Sequence, residues 1–313
     1  MGAQLLLPPL FTSKQLFTSE QRAFTQESQS VAHAAELSEI RARGYLTVGV
    51  KNNRAPLGFV DTAGEISGFE IDIAKRLAEE LLGDRTAIKL IPIANIDRLN
   101  ALLEDEVDVV IAALTITPAR RRLINFSDPY YLDGAAFITQ QPSLRSLRDL
   151  RLAKIAILDG SSTVPRVRYI LPGAELVGVS SYREGRALLS QGLVDAFAGD
   201  VSALAGWIEA GAESSEASEA VSKYRILPSI ISAEPLAIAI PKGIQHNPLK
   251  AEINQALRRW YAEGWLQARA AFWGLPSEAA QFINLSPVPT EATDADRPDE
   301  PSDSGSRLDS APE

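Results

Sequence analysis

Residues 112–131 read AALTITPARRRLINFSDPYY, and Arg120 within them stands where an arginine can do chemistry. A strand-like run (Val107, Val109, Val110, Ile111) ends in small residues, and Thr117-Pro118 then supplies a helix N-cap followed by proline at the first helical position. Arg120 falls in the first turn of that helix. Its planar five-donor guanidinium, together with unpaired backbone N–H groups at the helix start, suits a carboxylate. The alternative is that Arg120 joins Arg121 and Arg122 in a solvated basic face. A second candidate anion site is Ser161-Ser162 in ILDGSST, which opens a helix whose first N–H groups are free to meet an anion; Pro165 in its first turn is tolerated for the same reason. Lys51 and Arg54 flank the loop after the first strand, where an exposed basic pair is the commoner meaning of such residues.

These residues must be placed by alternating strands and helices. Strands are expected at 46–50, 88–92 and 107–112, with helices at 69–82 and 96–105 between them. Ile73, Ala74, Leu77, Ala78 and Leu81 form one stripe of the first helix, and Gly83 stops it. A second set follows: strands at 153–158, 176–179 and 194–198, helices after Ser161, at 182–191 and at 201–210. A strand at 235–240 and a helix at 248–262, opened by Asn247-Pro248, close the pattern. Strands alternating with helices imply parallel sheets covered on both faces, an α/β class.

Composition narrows the function. A chain of 313 residues suits two lobes better than one core, because single cores stop growing near about 250–300 residues. A net charge of −9 with pI near 5.0 argues against a nucleic-acid partner, which calls for a basic stripe. With zero cysteines there is no disulfide, thiolate nucleophile or cysteine-ligated zinc. His33 lies in a linker-like stretch and His246 just before a helix, so no histidine-centred triad or two-histidine metal site is evident, and no cofactor is expected. No apolar run reaches the about 18 residues of a membrane span.

The ordered set of motifs resembles type II periplasmic solute-binding proteins of solute-binding family 3, the polar amino-acid kind. The family's Gly/Ala-x-Thr-x-Thr-x-x-Arg and Phe-Ser-x-x-Tyr are met by Ala113, Thr115, Thr117, Arg120, Phe126, Ser127, Tyr130 and Tyr131. LTVGVK (46–51), GFEIDIAKRLAEELLG (68–83), VDVVIAALT (107–115), IAILDGSST (155–163), VDAFAGD (194–200), LAIAIPKG (236–243) and FWG (272–274) follow in order.

The resemblance implies a two-lobed fold, each lobe a mostly parallel sheet with flanking helices, joined by a two-strand hinge. Lobe one would comprise 41–135 plus 236–281 and lobe two 136–235, with crossings near 134–140 and 232–240. It implies a receptor for a polar or charged L-amino acid, delivering it as a monomer to the membrane permease of an ABC importer in the periplasm. A free amino acid carries two invariant charges: Arg120 would hold the α-carboxylate with Ala113 and Thr115, and Asp200 the α-ammonium. An N-cap aspartate is the other reading of Asp200. Ser161 and Ser162 would close on the carboxylate from lobe two; the family often has glycine at Ser162 and, in some members, a polar or basic residue at Leu158. Phe69 would pack on the ligand's stem or start the core face of its helix. Lys51 and Arg54 would read the side chain, and Arg54 standing where glutamine binders tend to have an aromatic favours an acidic one.

The same fold hosts periplasmic dehydratases of prephenate-like acids and sensor modules, and these are the rival readings. Residues 1–40 read as a linker or leader-like segment without a convincing secretory signal. Residues 209–222 read as an exposed acidic loop or helix end, and 286–313 as a disordered acidic, proline-rich tail.

Overall fold

The computed structural model describes residues 36–212 and 224–276. The expectations for the segment before residue 36, for most of 209–222 and for the tail fall outside the described residues. Among the described residues no helix is long and apolar enough to cross a membrane, and no group of histidine and carboxylate side chains is placed to hold a metal.

A short helix α1 (Leu37–Arg43) leads into β1 (Leu46–Val50), whose five residues are all buried because the strand pairs in parallel on both sides. Its neighbours are β5 (Ile88–Pro92) and β6 (Val109–Ile111). Between β1 and β5 lie a small antiparallel sheet, β2 (Asn53–Arg54), β3 (Gly58–Val60) and β4 (Ile66–Ser67), and helix α2 (Phe69–Leu82). The expected stripe of α2 is buried, and Gly83 ends the helix in the left-handed region with its N–H on Glu79 O. Gly68 begins α2 at φ +133, and a Cβ there would lie 2.3 Å from Leu57 O. That close approach presses the loop carrying Lys51 and Arg54 onto the helix start. Sequence reasoning did not foresee this three-stranded sheet, since its strands of two or three residues are too short for a period to register.

After α3 (Arg98–Leu103) and the four-residue α4 (Pro118–Arg121), strand β7 (Asn125–Thr139) runs for 15 residues. It pairs antiparallel with β12 (Ser232–Ile240) and, at its far end, with β10 (Ala196–Asp200) and the short β11 (Arg225–Ile226). The main sheet therefore runs β5-β1-β6-β12-β7-β10-β8-β9, with β8 (Lys154–Leu158) and β9 (Glu175–Val179) completing the far side. Helices α5 (Thr163–Ile170), α6 (Tyr182–Ser190) and α7 (Val201–Ala212) connect those strands. Helices α8 (Asn247–Ala262) and α9 (Trp265–Phe272) return to the first side.

Separate hydrophobic cores lie on either side of the crossing strands. One joins β1 and α2 to α8 through Trp260, Phe69, Tyr130 and Leu257. On the far side Phe137, Ile155 and Val167 pack together, and Tyr182, Phe197 and Trp207 form a further aromatic cluster with ring centroids 5.0–6.1 Å apart. Among the described strands, β7 carries apolar side chains into the cores on both sides, while those of β12 stay on the first side. The chain is thus two lobes on one continuous sheet, with the crossings inside these two long strands. β7 begins well before residue 134 because the Phe-Ser-x-x-Tyr motif is itself strand.

Candidate functional site

The cleft between the lobes has a positive end and an end of mixed charge. At the first, Thr117 caps α4: its Oγ1 accepts from the N–H of Arg120 at 3.2 Å, with Pro118 next, as its sequence implied. The helix turns Arg121 and Arg122 outward and Arg120 inward. Arg120 Nη1 donates to Thr115 O at 2.9 Å, and its Nη2 crosses the cleft to Gly160 O at 3.1 Å. Arg98 does the same from α3, donating to Asn95 O, Ala112 O and Ala113 O at 2.8–2.9 Å and to Gly160 O at 3.3 Å. One lobe-two carbonyl oxygen therefore sits under two guanidiniums, an arrangement of donors that would also suit a carboxylate oxygen. Burial lowers the pKa of Arg120, against the pull of Glu234 and Asp200. Burial, then Arg120 and Arg54, push Arg98 down to about 9, which leaves it a cation at neutral pH.

From lobe two the loop 160–162 meets these arginines. Gly160 adopts φ +68, and a Cβ there would press on Ile96 Cγ2 at 3.2 Å, so glycine serves both the backbone turn and the approach of the lobes. Ser162 Oγ lies 2.8 Å from Glu234 Oε2 and 3.0 Å from Thr115 Oγ1, so its proton goes to the carboxylate and it accepts from the threonine. Ser161 Oγ and Thr163 Oγ1, at the start of α5, are buried with no hydrogen-bond partner among the described residues. Buried polar groups are normally satisfied, so these two hydroxyls are free to meet a further polar atom.

At the other end the crossing strands set three carboxylates on one face. Glu234 pairs with Asp133 across β12 and β7, and Asp200 pairs with Ala135, two residues along the same strand. Asp133, not Asp200, serves the start of α7: it accepts from the N–H groups of Gly134 and Ser202 and from Ser202 Oγ. The N-cap alternative for Asp200 is thereby displaced. Asp200 Oδ2 accepts from Tyr182 Oη at 2.6 Å and pairs with Arg54 Nη2 at 2.6 Å. Arg54 Nη2 also stands 3.5 Å from Asp133 Oδ2. Burial works against the Arg54 charge, but Asp200, Tyr182 and Asp133 outweigh it and hold the group firmly protonated. Burial and the neighbouring Asp200 charge raise Asp133 to about 6. Arg54, Asp133 and Asp200 together carry one negative charge when both carboxylates are ionised, and Glu234 on the same face adds another.

Sequence-predicted residues and those missed divide along physical lines. Arg120, Thr115, Ser161, Ser162, Asp200 and Arg54 meet in the cleft. Lys51 is not on an exposed loop: its Nζ donates to Ile93 O at 2.8 Å, and burial, then Arg98 and Arg54, lower it to about 8. Arg54 is likewise buried and committed to Asp200 and Asp133. Phe69 has no exposed surface and packs edge-on to Tyr130 and Tyr131, so the core alternative describes it. Ala113 keeps its place beside Arg98, but its N–H is taken by Glu70 Oε1 at 2.7 Å and its φ is +51. Arg98, Asp133, Tyr182 and Glu234 were missed. The signal for the two carboxylates was present: each is a lone charge inside an apolar strand run, YYLDGAAF and SAEPLAI, where an unpaired charge is costly.

Comparison with known proteins agrees with this architecture. The family model of bacterial extracellular solute-binding proteins, family 3, matches residues 46–276. The ABC transporter glutamine-binding protein of Bacillus subtilis (strain 168) is 27% identical over 263 residues, covering 83% of this chain and 92% of that protein. Among solved structures, an ancestral arginine-binding protein bound to arginine superposes with TM-score 0.66 at 29% identity, over 74% of this chain and 98% of the other. An ancestral amino acid-binding protein described as a precursor of cyclohexadienyl dehydratase gives TM-score 0.67 at 27% identity, over 76% and 98%. With the family model spanning most of the chain and the two-lobed fold around a charged cleft, this protein belongs to the bacterial extracellular solute-binding proteins, family 3.

Proposed function

We propose that the protein is the extracytoplasmic receptor of an ABC importer, binding a free polar L-amino acid between its lobes and presenting it to the membrane permease. The observation that carries this reading is that cation and anion are separated within one cleft. Among the described residues Arg120 and Arg98 hydrogen-bond to neutral carbonyls at one end, and a carboxylate cluster with net negative charge stands at the other. A zwitterion matches both ends at once. Its α-carboxylate would displace Gly160 O from the guanidiniums and take up the orphaned hydroxyls of Ser161 and Thr163. Its α-ammonium would use Asp200 Oδ1, which carries no hydrogen bond among the described residues while Oδ2 is occupied. Names of relatives point the same way, since the Bacillus subtilis protein is a glutamine-binding protein of an ABC transporter. We take the receptor to work as a monomer in the periplasm, without chemical turnover.

The test is a thermal-shift screen of ligand-stripped protein across the L-amino acids, because a ligand that binds only the native state raises its melting temperature by mass action. One or a few polar amino acids should give a large rise. A flat screen, or conversion of prephenate or arogenate to product by the purified protein, would sink the receptor reading and favour the dehydratase one.

A further inference from the structure

Beneath the positive end of the cleft lies a buried carboxylate that forms no ion pair among the described residues. Glu70, in the first turn of α2, has no exposed surface. Its Oε1 accepts from the N–H of Ala113 at 2.7 Å and from Tyr130 Oη at 2.5 Å, while Oε2 is buried without a hydrogen-bond partner among the described residues. The Ala113 N–H shares a planar peptide group with the Ala112 carbonyl, and the two point in opposite directions. That carbonyl accepts from Arg98 Nη1 at 2.9 Å. One peptide is therefore clamped between an anion at its N–H and a cation at its C=O, with its dipole aligned to both. Arg98 is likewise buried and in no ion pair among the described residues. Its compensation comes from charges it does not touch, Asp200 and Glu70, against Arg120 and Arg54. Of the two carboxylates, Glu70 is the one linked to it by hydrogen bonds through a single peptide. Burial raises the Glu70 carboxyl, while Tyr130, Arg54, the Ala113 N–H and Arg98 pull it back. Tyr130, held far above its ordinary range by burial and by Glu70, keeps its proton and donates it.

We propose that Glu70 is a positioning residue for the binding site: joined to Arg98 through the Ala112–Ala113 peptide, it is the buried counter-ion that keeps this guanidinium aimed at lobe two. The inference rests on the reading above that Arg98 and Arg120 receive a ligand's α-carboxylate. Hydrogen bonds to charged groups are the strong ones, and a chain of them polarises its members, so the peptide transmits orientation as well as charge. With Nε on Asn95 O and Nη1 on Ala112 O and Ala113 O, Arg98 keeps Nη2 for the cleft, where it meets Gly160 O at 3.3 Å. A carboxylate lying directly on Arg98 would neutralise it and repel an arriving anion. One peptide away, the same charge steadies the cation and leaves its cleft-facing nitrogen open.

A double-mutant cycle decides the matter, because only coupled residues depart from additivity. The twenty L-amino acids are screened against ligand-stripped wild type by thermal shift. The one giving the largest rise is titrated by calorimetry into wild type, Glu70→Gln, Arg98→Met and the double variant. Glu70→Gln keeps the shape and an acceptor for the Ala113 N–H but loses the charge, and should weaken binding by about tenfold. Arg98→Met should weaken it further, and adding Glu70→Gln to Arg98→Met should cost less than about twofold more. The same loss in both backgrounds would mean that Glu70 merely supports the lobe-one core, and would overturn the proposal while the receptor reading stands. Unchanged affinity in a folded Glu70→Gln would do the same, by showing the carboxyl to be neutral. Where Glu70→Gln does not fold, the Ala113 amide proton, read by NMR in wild type and Arg98→Met, takes its place. It should move upfield when the cation is removed, and an unmoved resonance overturns the proposal. No rise with any of the twenty amino acids would instead overturn the receptor reading, and this inference with it.

Discussion

The two ends of the cleft treat charge in opposite ways. At the Arg120 end two guanidiniums rest on carbonyl oxygens, dipoles that orient them without neutralising them. At the Arg54 end a guanidinium rests on carboxylates, and attraction inside a poorly screened site holds the lobes together. The first end keeps its charge available to an arriving anion. The second keeps a net negative charge and uses the Arg54 pairs to fix its own geometry. On the proposed reading a ligand competes with neutral carbonyls at one end and fits around an ion pair at the other.

The largest effect that could break this comparison is at Arg120. Arg120→Ala should weaken amino-acid binding by about 2–5 kcal/mol, as loss of a desolvated charge partner does. Arg120→Lys should fall between, because the charge survives and the fork does not. Affinity unchanged in both, measured by calorimetry on folded protein, would return Arg120 to the solvated face with Arg121.

Lys51 sharpens the electrostatic side. The unfolded lysine holds its proton to about 10.5, while the buried one gives it up near about 8. Between those values the unfolded chain binds more protons, so this group makes stability rise with pH across the window, by roughly 3 kcal/mol in full. Lys51→Met should remove that rise in thermal unfolding followed from pH 7 to 10.5, and should be the more stable protein at pH 7. A wild-type rise that persists in the variant would mean that Lys51 is not the buried cation responsible.

Asp133 tests the mixed end with a smaller signal. Its ligand-free carboxyl titrates near about 6, raised by burial and by Asp200 beside it, with Arg54 and the Ser202 and Gly134 donors opposing. An ammonium arriving at Asp200 favours the ionised form, so binding releases a proton below that pH, and affinity should fall as pH drops from 7 to 5. Calorimetry in two buffers of different ionisation enthalpy reads the proton directly. No release at pH 5.5 would show that the ammonium does not sit at this end.

The smallest change concerns the frame under the positive end. Ala113 holds φ +51, a left-handed conformation costing a non-glycine residue about 1–2 kcal/mol. Ala113→Gly should leave stability within about 1 kcal/mol of the parent, because relief of strain is offset by added freedom in the unfolded chain. Ala113→Val should lower it by more. If glycine destabilised strongly in denaturant unfolding, the Ala113 methyl would have a packing role that its place in the lobe-one core does not by itself require.

Much of this protein follows from local pattern. The hydrophobic stripe of α2, the Thr117-Pro118 start of α4 and the alternation of strands with helices are short-range consequences of residue type. They appear in the structure within two or three residues of where periodicity puts them. Arg120 stood out for the same reason, in the first turn of a capped helix, whereas the cleft role of Asp200 came from the resemblance, since local pattern equally allowed a helix cap. What the local pattern left open was partnership. Whether Asp200 capped α7 or faced the cleft depended on Asp133, 67 positions earlier, taking the helix start through Ser202. Whether Lys51 and Arg54 were solvated or buried depended on β5 and lobe two closing over them. Whether Phe69 met ligand or core depended on two tyrosines from β7. A charge's role is set by what lies within a few ångströms after folding, and those neighbours come from distant stretches of chain that only the closed, two-lobed packing brings together.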